Sequence, residues 1–146
     1  MADDVPPDVS DRAQRMFGYL SEGRWEQARS EFDVTMRRRA DPERLRRGWT
    51  NVAGPAGRFA GIGAPAAWRS GDYTLVLVPL TFGNGTATGR IVLNDEGEVA
   101  GLSLEYPRRR RLDPRTVRVF FLKNPDIGDL LHARVLYRSG KGRVVG

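Results

Sequence analysis

Apolar residues recur at helical spacing through the first third of the chain and at strand spacing after it. Between residues 10 and 22, Ala13, Met16, Phe17 and Leu20 fall at i, i+3, i+4 and i+7, one stripe along a helix, with Arg12 and Arg15 off it. Ser21, Glu22 and Gly23 supply a stop, since glycine readily takes the left-handed conformation that follows many helices. Trp25, Ala28, Phe32 and Met36 repeat at three- and four-residue steps and predict a second helix over 24–39. Asp41 and Pro42 end one helix and begin another: the aspartate can accept an orphan N–H as N-cap, and proline suits the first helical position. Leu45, Trp49 and Val52 line the inner face of this third, short helix, which Gly54 and Pro55 are expected to close.

From Arg58 the period changes. Residues 58–69 are rich in small side chains and predict a bent or bulged strand near a sheet edge. Residues 72–82 form the strongest strand, dense in aliphatic and aromatic residues and bounded by Gly71 and by Gly83-Asn84-Gly85. Strands over 86–93 and 98–106 are joined by Asn94-Asp95-Glu96-Gly97, which has the chemistry of a tight hairpin loop. In the last of them Leu102, Leu104 and Tyr106 alternate with Ser103 and Glu105, so one face is buried and the other wet. Helices followed by strands predict an α+β domain, three N-terminal helices packed on a curved antiparallel sheet, and argue against a parallel βαβ fold.

Length and charge refine this outline. A chain of 146 residues suits one domain with a real core. It has no cysteine, which excludes a disulfide framework, a thiolate metal site and a thiol nucleophile. The acidic, polar start Met-Ala-Asp-Asp-Val-Pro-Pro has no signal-peptide character, and no segment nears the ~20 apolar residues of a membrane span. A cytoplasmic chain with no membrane partner is therefore expected. The net charge of +6 is unevenly placed: residues 1–106 carry 13 arginines and no lysine against 15 acidic residues, while residues 107–146 carry 11 basic against 3 acidic. The basic excess thus belongs to a C-terminal tail over 107–146, following a domain over 9–106. Within the tail, 117–122 and 133–137 are β-prone and suit an extra hairpin, added to the sheet or to a partner chain.

The order of motifs resembles the nuclear transport factor 2-like, or cystatin-like, superfamily, and within it a bacterial domain of unknown function, number 3887. The matching features are Met16-Phe17-Gly18-Tyr19-Leu20, Gly23-Arg24-Trp25-Glu26-Gln27-Ala28 leading to Phe32-Asp33, Leu45 to Trp49, and Gly57-Arg58-Phe59. They continue through the strand from Tyr73 to Phe82 and the run from Asp95 to Leu102. The resemblance implies a sheet curled around a cone-shaped cavity, which hosts catalysis in some members and ligand or partner binding in others, and a homodimer interface on the outer sheet face. Relatives of this domain look like accessory modules, frequently attached to hydrolase or other domains, with no assigned reaction.

Candidate residues follow from chemistry. Phe32, Trp49, Phe59 and Tyr73 are the expected lining of a pocket for a small apolar ligand, with plain core packing as the alternative. Asp33, late in the predicted second helix, is the carboxylate best placed to act as a general base if buried. Otherwise it is a solvent-facing or hydrogen-bonded helix residue. Asp72 reads as a turn residue and Glu105 as the polar side of a strand. The single histidine, His132, lies in the tail, outside the cone. Arg37, Arg38 and Arg39 with Arg44, Arg46 and Arg47 form a basic cluster that could bind an acidic partner, although Glu31, Asp33, Asp41 and Glu43 can neutralise much of it and a solvated helix end is the plainer account. Arg108, Arg109, Arg110 and Arg111 could contact phosphates, so nucleic acid is a partner only through the tail. No metal or cofactor is expected. The leading expectation is a non-enzymatic ligand-binding or interaction module. The alternatives are a cofactor-free enzyme moving a proton on a small apolar substrate with Asp33 as base, and a nucleic-acid-associated protein.

Overall fold

The computed structural model describes residues 7–106, 118–123, 125–127, 134–138 and 141–145. Helices α1 (Pro7–Ser21), α2 (Trp25–Arg29), α3 (Val34–Arg39) and α4 (Pro42–Ala56) come first. Strands β1 (Phe59–Ile62), β2 (Ala66–Ser70), β3 (Tyr73–Phe82), β4 (Gly85–Leu93), β5 (Val99–Tyr106) and β6 (Arg118–Lys123) follow, then a 3-10 turn, Pro125–Ile127, and a hairpin of β7 (Arg134–Arg138) and β8 (Lys141–Val145). The main sheet is antiparallel in the order β1, β3, β4, β5, β6, with β2 sharing the edge of β3 with β1. The chain is therefore an α+β protein, helices first and an open antiparallel sheet after them, as the pattern of apolar residues predicts.

Two helix boundaries differ from the sequence reading. The expected second helix is two short ones, because residues 31–33 lend their backbone to the sheet. Phe32 bridges Val99 in parallel, the Asp33 N–H donates to Val99 O at 2.9 Å, and the Val99 N–H donates to Glu31 O at 2.8 Å. A backbone so engaged cannot continue the i to i−4 ladder. The apolar period survives the break, since Ala28, Phe32 and Met36 all enter one core. The third predicted helix does not close at Gly54 and Pro55 but runs to Ala56. Its last carbonyls are met from outside: the Asn84 N–H donates to Ala56 O at 2.8 Å and Asn84 Nδ2 to Pro55 O at 3.1 Å. The missing N–H of Pro55 costs this terminal turn one intrahelical bond.

The bent edge strand expected over 58–69 is present as β1 and β2, with a register shift between Phe59 and Gly61. The gap between the two falls opposite Pro79 of β3, which has no N–H to give the ladder, while Gly63 N–H donates to Pro79 O at 2.8 Å. The sheet does not stop at residue 106. β6 pairs with β5 from Tyr106 opposite Arg118 to Gly101 opposite Lys123, satisfying a backbone edge that would otherwise be open.

The main core lies between the helices and one sheet face, where Phe17, Phe32, Met36, Leu45, Leu80 and Leu102 are fully buried. Phe17 rests directly on the backbone of β4: a Cβ at Gly89 would lie 2.3 Å from Phe17 Cζ. The other sheet face carries a smaller cluster of Leu75, Val92 and Ala100 under Ile127 from the 3-10 turn. Burial on both faces explains why β3 is apolar at consecutive positions from Leu75 to Val78. Among the described residues no helix is long and apolar enough to cross a membrane.

Candidate functional site

The four residues expected to line one pocket do not all meet: Phe32, Trp49 and Phe59 share one core, and Tyr73 lies apart from it. Phe32 is fully buried where the helix break joins β5, and Trp49 of α4 is almost so. Trp49 packs on Phe59 and Phe82 with ring centroids 6.2 and 5.9 Å away, and the last two stand 5.5 Å apart edge to face. These rings fill the space between α4 and the β1 edge of the sheet, as aromatic packing favours. Tyr73 belongs to the cluster on the opposite sheet face, with Leu75 and Val92. Side chains alternate along a strand, so Tyr73 shares the side of Leu75 and Leu77, not that of Val76 and Val78.

Asp33 is buried but committed. It is the N-cap of α3, with Oδ1 accepting from the Met36 N–H at 2.7 Å. This satisfies a donor that the helix start leaves orphaned. Asp41 does the same for α4, accepting from the Arg44 N–H at 2.7 Å. Asp72 lies exposed in the β2–β3 turn and Glu105 exposed on β5. His132 and Arg108 to Arg111 lie outside the described residues.

A concave feature that the sequence reading missed lies where the start of α1 meets the β2–β3 turn and the β4–β5 hairpin. This cleft of about 240 Å³ is lined chiefly by Asp8, Arg12, Arg69, Thr74, Asn94, Asp95 and Glu96. The hairpin loop is rigidly built: Asn94 Oδ1 accepts the N–H groups of Glu96 and Glu98 at 3.0 and 2.9 Å, and Gly97 takes φ +80°. Arg12 Nη1 donates to Gly97 O at 2.9 Å, fastening α1 to the loop. Arg69 donates to Thr74 Oγ1 and to Gly71 O, both at 3.3 Å. Both guanidinium groups thus bond neutral oxygens, and neither forms a salt bridge among the described residues. Arg12 and Gly97 are 85 residues apart, and no spacing in the sequence announces that they meet.

A family model described as "Protein of unknown function (DUF3887)" matches the chain over residues 13–102. The chain belongs to that family. The DUF3887 match runs from α1 into β5, so it takes in the helix break at Phe32, the Trp49 aromatic group, Arg69 and the hairpin loop, and ends before β6. No curated protein and no solved structure matches the chain.

Proposed function

We propose that this DUF3887 domain is a non-enzymatic binding module with the nuclear transport factor 2-like arrangement, and that its ligand is a small molecule bearing a carboxylate, held in the cleft beside α1. The order of helices before an antiparallel sheet supports the superfamily placement. The observation that carries the ligand reading is the pair Arg12 and Arg69, two guanidinium groups lining one cleft without carboxylate partners, although Asp8, Asp95 and Glu96 line it too. A guanidinium presents a fork of donors that suits a carboxylate, and the bonds already made by each arginine fix its position while leaving other N–H groups available. The acidic rim favours a ligand that also carries an ammonium group, as a small zwitterion does. About 240 Å³ lies just below the usual range for drug-sized ligands and suits a smaller occupant. Against the proton-transfer alternative stands the commitment of Asp33 to the Met36 N–H.

The test is a thermal-shift and calorimetric titration with a panel of small carboxylates and amino acids. A ligand that binds the native state raises the melting temperature with concentration, and Arg69→Gln should abolish that ligand-dependent rise, measured against its own unliganded melt. No shift from any member, or an undiminished shift in the Arg69→Gln protein, would sink this reading.

A further inference from the structure

The corner between α3 and α4 is a second surface, sharing no residue with the cleft. Residues 34–47 hold six arginines against Asp41 and Glu43 alone. Asp41 is used as the α4 cap, Glu43 pairs with Arg46, and Arg37 Nη2 donates to Phe32 O at 3.0 Å. Arg38, Arg39, Arg44 and Arg47 remain exposed, and their side chains make no hydrogen bond or ion pair among the described residues.

The structural account of such a cluster, cations serving the negative end of a helix, does not cover it. The carbonyls at the end of α3 are served by Arg29, whose Nε donates to Ala40 O at 2.7 Å and Nη2 to Arg37 O at 3.2 Å. Arg44 stands in the first turn of α4, the end where a cation is disfavoured. Among the described residues Arg38, Arg39 and Arg44 have no acidic partner, and Arg47 has only the longer-range attraction of Glu43, which Arg46 already engages, a local conflict of the kind kept at functional surfaces. Beside them Val34 is 57% exposed, and it lies three and four residues before Arg37 and Arg38, on their side of α3.

We infer that this corner docks an acidic segment of a partner protein. Guanidinium groups pair with carboxylates in bidentate fashion and are enriched at protein interfaces, and an apolar spot among them suits a peptide with an apolar anchor. Single-stranded nucleic acid would call for exposed aromatic rings, whereas Val34 is the exposed large apolar side chain among the described residues.

The experiment measures fluorescence anisotropy of a labelled Glu-rich peptide containing one leucine, titrated with the full chain. Binding should weaken on raising salt to about 0.3 M, where surface charges are strongly screened. Replacing Arg38, Arg39, Arg44 and Arg47 together by Gln should cost about tenfold or more in affinity, and Val34→Ser a smaller loss. Replacing Arg108 to Arg111 by Gln should leave the affinity unchanged. Should the fourfold variant not fold, Arg44→Gln with Arg47→Gln is the fallback, expected to weaken binding in the same direction. Three results overturn the inference: undiminished binding by the arginine variants, a loss that follows only the Arg108 to Arg111 substitutions, or tighter binding of a DNA duplex through the same four arginines.

Discussion

At the scale of single residues, close contact and capping decide what can change. Gly89 has no room for a methyl group because the Phe17 ring lies against its Cα, and Phe17 is itself fully buried. Gly89→Ala is expected to destabilise the protein by about 1–3 kcal/mol, as overpacking does, and Phe17→Leu in that background should recover part of the loss in urea unfolding. Asp33→Ala removes a helix cap and should cost about 1 kcal/mol, while Asp33→Asn, also a good cap, should be nearly neutral in the same assay. At the corner of α3 and α4, the hydrogen bond from Arg46, and behind it the charges of Arg46 and Arg47, hold the Glu43 carboxyl below its ordinary range. A carboxylate whose pKa is lowered by folding adds stability above its unfolded pKa and loses it as pH falls through the folded one. NMR titration should therefore place the Glu43 midpoint below that of a free glutamate, and Arg46→Gln should raise it.

At the scale of elements, helix ends are set by what the backbone meets. The end of α4 depends on Gly57, at φ +94° and ψ −161°, a region open essentially to glycine. Asn84 presses on the same point, with its backbone N 3.3 Å from where a Cβ would stand. Gly57→Ala is expected to cost about 1–3 kcal/mol, read as a lowered melting temperature. Local chemistry made some of these ends legible: Gly23 ends α1 with φ +73°, and Asp41-Pro42 starts α4 as their types require. The end at Ala56 and the break at Phe32 were not legible, because both are decided by distant partners, Asn84 and Val99. A period of 3.6 reports which residues face a core, and it reads the same whether the helix is continuous or broken between them.

At the scale of the whole molecule, β6 closes the far edge of β5, and Ile127 covers the outer cluster of the sheet. A chain ended after Tyr106 would bare that edge and that cluster, so it should melt at a lower temperature and elute as a larger species in size-exclusion chromatography than the intact chain. The aromatic residues were legible as facing the interior, as pocket lining or core, yet Tyr73 is parted from Phe32, Trp49 and Phe59 by the sheet itself, which only strand register determines. Sequence alone determined the fold class, the start of α4 at Asp41-Pro42, the hairpin at Asn94 to Gly97 and the apolar positions of the core, since periodicity and turn chemistry act over a few residues. Tertiary structure decided which side of the sheet each aromatic occupies, where the second helix breaks, and that Arg12 and Arg69 line one cleft. Those outcomes rest on contacts between residues far apart in the chain, where no local spacing carries the information.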